Sequence, residues 1–141
     1  MPYCILDDIS EQIPEEELIS LTDDANVGVI DTSITDRAVA DADAEIDGYC
    51  GRQYSVPLDP VPGIIRKFSV DICIYNLFSR RQGAPEDRRT RYKDAIKFLE
   101  NVAKGIVTLG VDDPDSTPSD THAPQISSSE RIFSRSKLKG Y

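Results

Sequence analysis

The chain has no tryptophan, one histidine and one methionine among its 141 residues, and each scarcity removes a class of chemistry. Its histidine, His122, stands in a polar stretch with no cysteine or second histidine at metal-ligand spacing. Neither a zinc site nor a histidine-driven acid–base centre is expected there. Three cysteines, Cys4, Cys50 and Cys73, are widely separated and form no CxxC pair, which argues against a disulfide framework or a redox motif. Cys50 and Cys73 read as reduced helix residues. Glycine-rich phosphate loops of the dinucleotide or P-loop kind are absent. No run of about 18 apolar residues occurs, so no membrane span is expected. Met1-Pro2-Tyr3-Cys4 leads directly to Asp7-Asp8, without the basic patch and apolar core of a signal segment. The expectation is a soluble chain made in a cytoplasm. Asp41 and Glu45 lie one helical turn apart, but in so acidic a segment that spacing arises by chance. No cofactor, metal or catalytic residue is expected, and a small hydrolase has no constellation to support it.

What is present suits one modest domain: 39% of residues are hydrophobic, enough for a single core at this length. The net charge of −9 disfavours nucleic acid as the main partner, because duplex binding depends on Lys and Arg neutralising phosphates. That charge is unevenly distributed. Residues 1–50 contain fourteen acids against Arg37 alone, whereas residues 51–141 contain fifteen Lys or Arg against eleven acids. Two explanations stand at this point. Either these are ordinary solvated helix faces, or the acidic surface of one copy meets the basic surface of the next, a head-to-tail contact that closes into a ring if the rotation permits.

Hydrophobic periodicity predicts a mainly α protein, a small helical bundle of four to five helices with two or three long ones. Residues 3–22 read as an extended start and two short helices. Asp7 is placed to cap a turn holding Leu6, Ile9 and Ile13, and Pro14 leads Glu15-Glu16-Glu17 into Leu18, Ile19 and Leu21. From Asp31 or Thr32 a long helix carries Ile34, Ala38, Ala42, Ile46 and Tyr49 or Cys50 on one narrow stripe, with Asp36, Asp41, Asp43, Glu45 and Asp47 covering the rest. Prolines 57, 60 and 62 then forbid helix. The segment from Pro62 to about Arg81 is the candidate central helix. Ile64, Ile65, Phe68, Ile72, Tyr75 and Phe78, with Val70, Cys73 and Leu77, make it apolar over much of its circumference, interrupted by Arg66, Lys67, Asp71 and Asn76.

Pro85 opens a further helix, with Tyr92, Ala95, Ile96, Leu99, Val102 and Ala103 on one face and Arg88, Arg89, Arg91, Lys93, Lys97 and Lys104 on the other, before Gly105 ends it. The basic face of this 85–104 helix supports an alternative function, a small nucleic-acid-contacting module, although Tyr92 on the apolar stripe reads as a core residue. Ile106-Val107-Thr108-Leu109 is either a short strand or an extended segment. The helical domain is thus assigned to residues 1–110. Composition then changes abruptly to Asp, Pro, Ser and Thr, giving a polar linker over 111–124. The stretch 125–141 restores basic and apolar residues together. It is either a frayed terminus or an extended docking arm, and in the second case Arg131, Phe133, Arg135, Leu138, Lys139 and Tyr141 are the candidate partner-binding residues.

Eight pieces in order carry a family resemblance. They are Tyr3-Cys4-x-Leu6-Asp7-Asp8, Leu21-Thr22-Asp23, Ala40-Asp41-Ala42-x-Ala44-Glu45-Ile46-Asp47-Gly48-Tyr49 and Tyr54-x-Val56-Pro57-Leu58, followed by Pro60-Val61-Pro62, Arg91-Tyr92-Lys93-Asp94-Ala95-Ile96, Gly105-x-Val107-x-Leu109-Gly110 and Phe133-Ser134-Arg135-x-x-Leu138-Lys139-Gly140-Tyr141. The chain resembles a family of small proteins of Mu-like phages and prophages, similar in role to the head–tail connector proteins of long-tailed phages. Gln53 departs from the Arg-Tyr pair of that family. The resemblance implies a helical bundle that joins a ring, twelvefold on the portal protein, and offers a docking surface to a tail-terminator or head-completion protein. It further implies DNA only as passing cargo, no membrane partner, and a path from host cytoplasm to the virion neck. Removing residues 125–141 is expected to leave a folded monomer with its helical circular dichroism but to abolish assembly. Unchanged ring formation in light scattering or electron microscopy refutes a docking role for the arm.

Overall fold

The computed structural model describes residues 1–111. Five helices follow one another: α1 (Leu6–Ser10), α2 (Glu15–Thr22), α3 (Thr32–Cys50), α4 (Gly63–Arg81) and α5 (Glu86–Ala103). No strand occurs among the described residues. The small helical bundle expected from periodicity is the observed architecture. The linker beyond residue 111 and the arm over 125–141, with all six candidate partner-binding residues, lie outside the described residues.

Helix starts follow from local chemistry. Asp31 caps α3, its carboxylate accepting the Ser33 N–H at 2.9 Å. Pro14, Pro62 and Pro85 stand immediately before α2, α4 and α5 in extended conformation, where their missing N–H costs nothing. At α1 the expectation needs correction. It is Asp8, not Asp7, that serves the helix start, accepting the Ile5 N–H at 2.9 Å. Gly83 and Gly105, both at positive φ, close α4 and α5 in the left-handed conformation that side chains resist.

Helix α4 is the axis of the molecule and touches all four other helices, while α3 and α5 also pack on each other. Its nineteen residues span roughly 28 Å. Ile65, Ile72, Cys73, Ile74 and Leu77 are completely buried. Burying such side chains contributes on the order of 1.5–3 kcal/mol each before conformational entropy is subtracted. Two assignments on α4 differ from the sequence reading. Ile64, counted as apolar contact surface, is 37% exposed, whereas Asp71, read as interrupting that surface, is only 5% exposed. Asp71 lies near Asp8 of α1, Glu11 and Gln12 after it, and Arg91 of α5, which leave it little contact with solvent. Desolvation raises the Asp71 carboxyl above its usual range, against the lowering influence of Arg91, Lys67 and Arg88.

Helix α3 contributes Ala38, Val39, Ala42, Ile46 and Cys50 to the core, and α5 contributes Ala95, Leu99 and Val102. All three cysteines are buried and free. Tyr92 is half-buried, its ring stacked on Tyr75 at 4.0 Å between centroids and its hydroxyl donating to Glu45 at 2.9 Å. Burial, and then that carboxylate, push its pKa up to about 12. Of the two readings of residues 106–109 the strand does not form: Ile106 and Val107 bend back on the end of α5, their N–H groups donating to the Asn101 carbonyl at 2.9 and 3.4 Å, and an irregular stretch follows. Val107 and Leu109 rest on the core, and the Leu109 N–H donates to the Tyr54 hydroxyl at 2.9 Å.

Phe68 is 7% exposed, with its ring centroid 4.9 Å from that of Phe98. Phe68→Ala is expected to lower stability by about 3–5 kcal/mol, read as a fall in the urea midpoint. Ile64→Ala, one turn away on the open side, is expected to change it by less than about 0.5 kcal/mol.

Candidate assembly surface

A groove opens where the N-terminal segment crosses α3. Asp36, Val39, Ala40, Asp43, Ala44 and Asp47 line one wall, a spacing of three and four residues that puts all six on one helix face. Residues 1–6 and Pro57 form the opposite side, and the enclosed volume is about 560 Å³. The lining contains three carboxylates and no basic side chain. Its apolar rim includes Ile5, which is 53% exposed.

A polar network holds the N-terminal segment in place beneath this groove. Tyr3 is buried. Its backbone N–H lies 3.2 Å from each Asp43 carboxylate oxygen. Its hydroxyl donates to Asp47 and accepts the buried Leu58 N–H at 2.8 Å. The Ser69 hydroxyl from α4 lies between Cys4 Sγ at 3.1 Å and Asp43 Oδ1 at 3.2 Å. Burial pushes the Asp43 carboxyl above its usual range. The bonds from Tyr3 and Ser69 oppose that shift, and the charge of Asp47 reinforces it. Burial, followed by the Asp47 bond, also raises the Tyr3 phenol.

Sequence reasoning assigned Asp43 and Asp47 to the solvated side of α3, but both turn toward the N-terminal segment. Periodicity along α3 contains no signal for this, since the partner Tyr3 lies forty residues or more away. A second missed feature is the pair Arg80 and Arg81 at the end of α4. Arg80 donates to the Leu21 carbonyl at 3.1 Å, and Arg81 to those of Ser20 and Asp23 at 3.0 and 3.1 Å. Both also pair with Asp24. These contacts satisfy carbonyls that the end of α2 leaves without helical partners.

The basic face assigned to α5 is smaller than periodicity implied. Arg88 points inward, donating to the Gln12 carbonyl at 3.1 Å, and its other terminal nitrogen is buried without a hydrogen-bond partner. Arg91 faces Asp71 at 3.8 Å. Arg89, Lys93 and Lys97 remain as an exposed row at four-residue spacing, with Lys104 beyond them. Helix α3 exposes Asp36, Ala40, Asp41 and Ala44, with Arg37 among them. The molecule therefore carries an acidic, small-residue surface on α3 and a short basic row on α5. Among the described residues, no three His, Cys, Asp or Glu side chains are grouped to hold a metal ion, and no helix is long and apolar enough to cross a membrane.

Comparison with known proteins adds three findings. Residues 3–128 match the family model described as Bacteriophage Mu, Gp36. The chain is 32% identical over 112 residues to the Mu-like prophage FluMu protein gp36 of Haemophilus influenzae, covering 79% of this chain and 78% of that protein. It is 29% identical over 144 aligned residues to gene product J of Escherichia phage Mu, covering 100% of this chain and 99% of that one.

Tyr3→Phe removes the one hydroxyl that serves both Asp47 and the Leu58 N–H. The expected loss is about 1–3 kcal/mol, because a buried donor is left without an acceptor. Thermal unfolding followed by circular dichroism checks it, and an unchanged midpoint contradicts the bridging role.

Proposed function

The chain belongs to the bacteriophage Mu Gp36 family, and from that premise we propose that it is a structural protein of phage morphogenesis, a head–tail connector that acts by packing rather than by catalysis. Copies associate in a ring, twelvefold on the portal protein. The ring presents the docking surface for the next neck component, a tail-terminator or head-completion protein. DNA passes as cargo, no membrane takes part, and the protein moves from host cytoplasm into the neck of the virion.

The observation that carries this reading is the presence of two unlike exposed surfaces on one small subunit. The groove along α3 is acidic, with small side chains on its α3 wall, whereas α5 exposes Arg89, Lys93 and Lys97 and the C-terminal sequence adds four bases after Glu130. A head-to-tail contact needs such a pair of different, complementary patches, and repeating it around an axis closes a ring. The nucleic-acid alternative has less support. Arg88 and Tyr92 are engaged inside the bundle and Arg91 faces Asp71, which leaves a short cationic row on a chain of net charge −9.

Quantitative mass spectrometry of purified virions tests the proposal. This chain is expected in a fixed ratio to portal subunits, near one to one for matched rings. Its absence from finished particles overturns the connector reading.

A further inference from the structure

The acidic groove under the N-terminal segment has chemistry that selects its occupant. Asp36, Asp43 and Asp47 give it an excess of negative charge over the Met1 amino group, and Val39, Ala40 and Ala44 give it an apolar wall without bulk. Ala40 and Ala44 are exposed, so an approaching backbone meets only methyl groups there. A fitting ligand is therefore an extended peptide that alternates cationic with apolar side chains. Charge complementarity steers and registers such contacts, and pockets for alternate side chains are the usual way a groove reads an extended strand.

This chain contains one such segment. Residues 131–141 carry Arg131, Arg135, Lys137 and Lys139 with no acid, interleaved with Ile132, Phe133, Leu138 and Tyr141. The preceding chain is tied to the loop that leads to Pro57. The Leu109 N–H is held by the Tyr54 hydroxyl at 2.9 Å, and Pro57, three residues on, closes one side of the groove. From there, residues 112–130 reach roughly 60 Å at full extension, enough to cross to an adjacent subunit.

We propose that the groove between residues 1–6 and α3 is the receptor for residues 131–141 of a neighbouring copy, so that each subunit in the ring both gives a basic segment and receives one. The proposal rests on the connector reading above and names the contact that builds its ring. A neighbour is the donor because a head-to-tail ring needs each subunit both to give and to receive a contact, and a segment bound to its own groove gives none.

The test uses the full chain carrying Ala44→Cys and Ser134→Cys together, supplied to phage assembly. Particles are purified, oxidised and run denatured without reductant. Cys4, Cys50 and Cys73 are buried, so a new disulfide reports the introduced pair; Ala40→Cys in place of Ala44→Cys provides a second position on the same wall. The expected result is a ladder in which most of the chain runs as dimers and higher multimers, collapsing to monomer on reduction. Fast-running monomers with an intrachain bond overturn the proposal in favour of a segment held by its own subunit. Chain present in particles without a bond at either position overturns the groove as receptor while leaving the connector reading intact. If wild-type chain is itself missing from particles, the connector reading falls and this proposal with it.

Discussion

Everything in this molecule is arranged around the burial of α4. A helix apolar on only one side needs one partner, but α4 carries Ile65, Ile72, Ile74 and Leu77 around its circumference, and all four are fully buried. No pair of long helices can enclose such a rod. Helices α3 and α5 cover two sides, and the short helices α1 and α2 are drawn onto the remainder, which explains why an N-terminal region so rich in acid is part of the fold at all. Ile9, Ile13, Leu18 and Leu21 anchor that region in the core, while its carboxylates stay on the outside.

Covering α4 with short helices creates a problem at their ends. A helix of eight residues, such as α2, leaves half its carbonyls without internal partners. Arg80 and Arg81 meet that need from the end of α4 itself, so the helix that requires covering also holds its cover. The N-terminal segment is secured differently. Tyr3 reaches Asp43 and Asp47 on α3 and the backbone of Leu58 at once, and Ser69 of α4 joins the same network. Tyr3 and Cys4 are packed into the core while Met1 and Ile5 stay exposed, and the acidic groove runs between this segment and α3.

The functional surfaces follow from this economy of core. Helix α3 spends its larger side chains on the interior, Val39 and Ile46 among them, and presents alanine and aspartate outward. Helix α5 puts Ala95, Leu99 and Val102 inside and a mixed-charge surface outside, the row Arg89, Lys93 and Lys97 lying among the exposed acids Glu86, Asp87, Asp94 and Glu100.

The helices, their limits and the central place of α4 were legible in the sequence because they depend on neighbours three or four residues apart. Pro62 starts α4, Gly105 ends α5 and Ala38, Ala42 and Ile46 share a stripe, all by local geometry. Composition likewise announced the change of character after residue 110, and eight short motifs pointed to the family. Only the folded chain decided which polar residues face inward. Asp71 is buried beside Arg91 of α5 and close to α1, Arg88 finds a carbonyl seventy-six residues away, and Asp43 and Asp47 meet Tyr3 across forty residues and more. Those pairings arise between segments whose separation in sequence encodes no distance in space, so a charged residue reads as solvated until the elements around it are in place.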